Sequence, residues 1–208
     1  MEIPSTESLR VAVAEYNQQY GEKDRFLWAL ATQTHQILQS DKSEEVVETF
    51  IWTIKRWWGL QGVFFQDRSA MVKAVIALKT SDINNKTEDF SNSLIDVQVG
   101  LVTDLVSLSK KNGALKGHFS WASKILHWLY PNKVPVYDAI ARKSIAPLKR
   151  EGADAYREIT KWEFDVSKLL GSQREEFIGN VGPYTMLRVL DKYVWWEGKK
   201  LAAPVKIK

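Results

Sequence analysis

The chain has 208 residues, with 29 Lys and Arg against 25 Asp and Glu, and no cysteine. The missing cysteine excludes disulfides, thiol catalysis, Cys-zinc sites and Cys-ligated iron–sulfur clusters. The length allows one large domain or two small intertwined ones with a proper core, and no apolar run approaches the roughly 20 residues that span a bilayer.

The N-terminus, M-E-I-P-S-T-E-S, is too acidic and polar for a signal peptide, so a cytoplasmic protein is expected. Apolar residues then recur mostly at helical spacing. Ser5 to about Tyr20 reads as one helix, with Leu9, Val11, Val13 and Tyr16 as core candidates, and Lys23 to Leu38 as a second. Ser43-Glu44-Glu45 opens a third, because acidic residues suit the positive end of a helix dipole. It runs toward Trp58 and is broken by Gly59-Leu60-Gln61-Gly62. Val63-Phe64-Phe65 reads as extended, Ser69 to Leu78 as helix, and Thr80 to Asn92 as a polar loop. Ser93 to Lys110 is a helix ended at Asn112-Gly113. Leu115-Lys116-Gly117-His118 is a tight turn, followed by a helix from Ser120 to Leu129 that Pro131 stops. Val134 to Tyr137 is extended, since Pro135 keeps its predecessor out of the helical region. Helices follow over Asp138 to Ala146, Ala153 to Leu170 and Tyr184 to Trp196, then a basic, frayed tail from Lys199. The expectation is an all-α fold of about ten helices. It would form a single unit over 1–208, or two intertwined lobes, about 1–92 and 93–208, with a cleft between them.

His35, His118 and His127 show no metal-ligand spacing, and neither a G-x-G-x-x-G nor a P-loop occurs. No metal and no cofactor are expected. The charge distribution says more. From Leu105 to Arg150 there are nine Lys and Arg residues, and Asp138 is the only acid. A one-signed stretch of that length points to a polyanionic partner. Nine tryptophans, two pairs of them adjacent (Trp57-Trp58 and Trp195-Trp196), serve either the core or a pocket for a flat ring.

The order helix, glycine turn, helix, extended segment ending in Pro and Asp, helix resembles the helix-hairpin-helix DNA glycosylases, the superfamily of the 8-oxoguanine and adenine-mismatch enzymes. Their hairpin L-P-G-V-G-x-K-x-A and segment V-P-V-D-x-x-V-x-R match Leu115-Lys116-Gly117-His118-Phe119-Ser120-Trp121-Ala122 and Val134-Pro135-Val136-Tyr137-Asp138-Ala139-Ile140-Ala141-Arg142-Lys143. The resemblance places the catalytic aspartate at Asp138 and the hairpin glycine at Gly117. Lys116 stands where the family has proline, and Phe119 where it has a second glycine. The lysine position of the bifunctional members holds Ser120, while Lys124 lies two residues beyond Ala122. The resemblance therefore implies a monofunctional, monomeric DNA N-glycosylase, with Asp138 and Lys124 as the catalytic candidates.

The chemistry agrees with that implication. Breaking an N-glycosidic bond builds positive charge on the sugar, and a nearby carboxylate stabilises it. Lys116, Gly117, His118, Ser120, Arg142 and Lys143 are candidates for gripping DNA phosphates. Trp57, Trp58, Phe64, Phe65 and Trp121 are candidates for lining a flipped-base pocket. The wealth of aromatics suggests a bulky modified base, as in some viral DNA, and so a defence role. Other readings stay open. Asp138 also suits an ordinary helix N-cap, Lys124 a solvated or phosphate-facing lysine, and His127 a satisfied, partly buried histidine. The chain would then be a non-catalytic nucleic-acid binder or a helical protein-interaction module.

Overall fold

The computed structural model describes residues 1–40, 43–57, 68–78, 92–112, 119–147, 149, 152–171, 177 and 185–202. Among them are eight helices and no strand. They are α1 (Thr6–Ser40), α2 (Glu44–Trp57), α3 (Arg68–Ala77), α4 (Asn92–Lys111), α5 (Phe119–Leu129), α6 (Ala139–Ile145), α7 (Ala153–Leu170) and α8 (Met186–Ala202). The break at 59–62, the extended stretch at 63–65, the polar loop up to residue 91 and the turn at 115–118 lie outside the described residues. Among the described residues no helix is long and apolar enough to cross a membrane.

Two boundaries differ from the sequence reading. The two N-terminal helices are one, α1, which passes through Gly21. A glycine inside a helix costs about 1 kcal/mol against alanine. Tertiary packing outweighs that cost here. Leu9, Ala12 and Val13 are buried in one apolar cluster, and Leu27 and Ala31 in another. Ser5 starts the helix, its Oγ accepting from Ser8 N at 3.1 Å. At the other end of the chain, α8 continues past Trp196 to Ala202. Lys199 and Lys200 stand over the rings of Trp195 and Trp196. Cations near a helix C-terminus also suit its dipole, so Lys199 and Lys200 continue the helix, while the tail from residue 203 lies outside the described residues. Thr185 sets the start, its Oγ1 accepting from Arg188 N at 3.2 Å.

The other helices follow their local signals. Asn112 closes α4, its backbone N–H donating to Leu108 O at 3.0 Å. Gly171, at φ 48, ends α7 in the left-handed region that suits glycine. α5 is the central element, with every residue from Trp121 to Leu129 buried. It packs against α1, α2 and α4. The main core draws on α1 to α8, and a smaller cluster joins Leu9 and Val13 of α1 to Val166 of α7 and Val189 and Leu190 of α8. Thus α1 ties both clusters together, and α8 packs on α1, α6 and α7.

The contact of α8 with α6 is close. A Cβ added at Gly198 would collide with Cγ2 of Ile140. Gly198 therefore sets how near α6, and Asp138 at its start, approach the last helix. Overpacking such a contact costs about 1–3 kcal/mol. Gly198→Ala is expected to lower the unfolding free energy by that cost less the roughly 1 kcal/mol that alanine gains inside a helix, seen as a lower urea midpoint with an unchanged m-value. Adding Ile140→Ala, which removes the struck atom, should recover part of the loss. Purely additive destabilisation in the double variant would contradict this close contact.

Candidate active site

Asp138 lies at the end of a buried extended segment, and side chains from α4, α5, α7 and the start of α8 hold that segment and the turn before it. Val134, Val136 and Tyr137 are buried, so their backbone polar groups need partners inside the protein. From α5, Ser123 Oγ accepts from Tyr137 N at 2.9 Å. One turn on, the Nδ1–H of His127 donates to the Val134 carbonyl at 2.7 Å. From α7, the Tyr156 hydroxyl donates to the Pro135 carbonyl at 3.2 Å. From α4, Gln98 donates to the Lys133 carbonyl, and from the start of α8, Thr185 donates to the Pro131 carbonyl at 2.8 Å. The aromatic rings of Tyr137 and Tyr156 meet edge to face behind the segment.

At the end of this segment Asp138 is extended, with φ −145, and caps α6. Its Oδ1 accepts from Ala141 N at 2.8 Å. The cap fixes the carboxylate's orientation while leaving Asp138 half-buried. Cap and reactive anion are therefore compatible in one side chain.

Behind Asp138 is a cluster of charges. Lys124 of α5 is 9% exposed, so most of its side chain is buried. Its charge and that of Asp138 both reach the carboxyl of Asp191 on α8. Burial raises that carboxyl to about 6, against the pull of Arg188. Arg188 contacts Asp191, and its Nη2 donates to Asp24 Oδ1 of α1 at 2.7 Å and to the Tyr16 hydroxyl at 2.7 Å. Lys192 Nζ is 3.2 Å from Asp24 Oδ2 and donates to Asn17 Oδ1 at 2.6 Å. Asp24, Arg188 and Lys192 are fully buried. Burial and then the neighbouring Arg188 lower Lys192 to about 7. Glu163 of α7 completes the set. It is 1% exposed, and burial first, then the charges of Asp191 and Asp138, push its carboxyl well above the usual range.

The structure thus brings Asp138 and Lys124 into one cluster. Ser120 is half-buried in the first turn of α5, Arg142 is half-buried on α6, and Lys143 is exposed on α6. Trp121 is 1% exposed and packed in the main core. Trp57 ends α2, but its side chain is not described, and Trp58, Phe64, Phe65, Lys116, Gly117 and His118 lie outside the described residues. Trp195 stacks edge-on against Tyr16 and Tyr20. Sequence reasoning missed Asp24, Glu163, Arg188, Asp191 and Lys192. One signal was available: charged residues at 188, 191 and 192 fall on a single helical stripe of an otherwise apolar segment. No protein-family model, curated protein or solved structure matches the chain. Among the described residues no group of three or more His, Asp or Glu could hold a metal ion.

His127 gives this region a pH dependence. Burial, and then the Arg188 charge, lower its pKa from 6.5 to about 3. A base with a depressed folded pKa contributes stability above its unfolded pKa and loses it as pH falls through the folded one. Asp191, raised from 3.8 to about 6, works in the opposite direction, so the wild-type curve alone mixes the two. The stability difference between wild type and His127→Asn isolates the histidine. It should shrink steadily as pH falls from 6.5 toward 3, measured by urea unfolding. A difference independent of pH would show that His127 does not titrate against burial.

Proposed function

We propose that this chain is a DNA N-glycosylase that flips a damaged or modified base and hydrolyses its N-glycosidic bond. What carries the reading is the way Asp138 is held: a capped, half-buried carboxylate after a segment anchored from α4, α5, α7 and α8, with the Lys124 charge felt at the same Asp191 carboxyl. The bonds that satisfy this buried backbone also hold Asp138 in one place. Electrostatic stabilisation of a reacting centre depends on a group fixed in that way before the charge develops.

In this reading the base leaves with the glycosidic electron pair, and the sugar becomes positively charged. The Asp138 carboxylate stabilises that charge. Water adds its oxygen to the anomeric carbon and releases a proton, and the departed base takes one up. An abasic site remains. Lys124 is the basic group assigned beside the carboxylate. Ser120, Arg142 and Lys143, with Lys116, Gly117 and His118 just before Ser120 in the sequence, are assigned to the phosphates. Neutralising several phosphates makes binding fall steeply with salt. Trp57, Trp58, Phe64 and Phe65 are the aromatics assigned to the extruded base.

The test is base release from duplexes carrying common lesions and from DNA carrying bulky modified bases. Asn caps a helix as well as Asp, so Asp138→Asn keeps the fold and removes the charge. It is expected to retain DNA binding and lose base release by about 10²–10³-fold, the scale of losing one preorganised electrostatic group. Release that survives in Asp138→Asn would remove the aspartate from the chemistry. Salt-sensitive binding with no release from any substrate would make the chain a nucleic-acid binder with Asp138 as a cap. Efficient excision of a common lesion, with modified viral DNA ignored, would sink the defence role.

A further inference from the structure

The charge cluster contains one acid without a counter-charge. Three basic side chains, Lys124, Arg188 and Lys192, face four carboxyls, those of Asp24, Asp138, Glu163 and Asp191. Three of the carboxyls have partners that favour the anion. Asp24 is paired with Arg188 and Lys192. Asp191 is paired with Arg188. Asp138 is half-exposed and accepts a backbone N–H. Glu163 has none of these. Among the described residues it makes no ion pair, and its buried Oε2 has no hydrogen-bond partner. The groups around it are Asp138 at the start of α6, Asp191 of α8 with Arg188 behind it, and Tyr156 of its own helix. An isolated carboxylate cannot be held ionised in such a place, because the cost of burying the charge far exceeds that of taking up a proton.

We infer that Glu163 stands in the folded protein as a neutral carboxylic acid and acts as a positioning residue for Asp138: one proton, kept on Glu163, lets Asp138 and Asp191 remain anions side by side. A neutral Glu163 takes one like charge away from the neighbourhood of Asp138 and Asp191. The effect on catalysis rests on the glycosylase reading; the protonation state of Glu163 does not.

Infrared difference spectroscopy between wild type and Glu163→Gln reads that state directly. At neutral pH the wild type should show the C=O stretch of a protonated carboxylic acid, above the amide band, and the variant should lack it. Asp138→Asn should shift the band, because the charge facing Glu163 is removed. Carboxylate stretches in place of the acid band, or a band that Asp138→Asn leaves unmoved, would overturn the inference. In base release, Glu163→Gln keeps a neutral polar group of the same size at this position and should exceed Glu163→Leu by about ten-fold. Circular dichroism confirms that both variants are folded. Equal release by two folded variants would remove the positioning role. A wild type that releases no base but shows the shifting band would contradict the glycosylase reading and bear out the protonated acid.

Discussion

The buried contact of Arg188 with Asp24 is the interaction on which the rest of the structure depends. It joins the last helix to the first, across 164 residues of sequence. Both side chains are fully buried, and the guanidinium also lies 4.8 Å from the Tyr16 ring and 5.4 Å from the Trp128 ring. Such a pair contributes little over a well-packed apolar replacement, but removing one partner costs about 3–5 kcal/mol. It therefore fixes an arrangement more than it adds stability. Once α8 is locked to α1, Asp191 comes to face Lys124 and Asp138, and Gly198 brings α6 against the last helix.

A second constraint meets the first at Asp138. Residues 134–137 are non-helical backbone buried in a protein whose described elements are all helices. Each buried N–H and C=O there needs a partner, and side chains from the surrounding helices supply many of them. Ser123 and His127 sit one turn apart on α5, so a single helix face serves Tyr137 and Val134. The segment could shift only by breaking several bonds together. That rigidity makes a half-buried carboxylate suitable for stabilising charge on a substrate. The positive charge of Lys124 and a neutral Glu163 would keep the local field from becoming too negative for a polyanion to approach.

Much of this was legible in the sequence where the cause is local. Asp138 as a helix start follows from Pro135 and the helix formers after it, and α7 follows from Gly152 and the periodic apolar residues up to Leu170. What local signals could not supply was the outcome of competition with packing. Gly21 reads as a break, yet α1 runs through it because both its halves are buried. Lys124 and His127 read as surface or partly buried side chains, yet α5 is surrounded on every side. The ion cluster was hidden for a further reason. Asp24 in the run Lys23-Asp24-Arg25 looks like any solvated helix charge, and its partners lie at the other end of the chain. The candidate site was thus readable as one aspartate and one lysine, without the acids and the arginine that surround them.

The claim that a fixed Asp138 anion stabilises positive charge on a deoxyribose can be tested without knowing the base. Two duplexes, identical except at one abasic position, would carry a neutral tetrahydrofuran or a cationic pyrrolidine in place of the sugar, and their dissociation constants would be compared at one salt concentration. The account predicts that wild type prefers the cationic duplex by about ten-fold or more, and that Asp138→Asn loses the preference while binding the neutral duplex as before. Equal affinity of wild type for the two duplexes would contradict it.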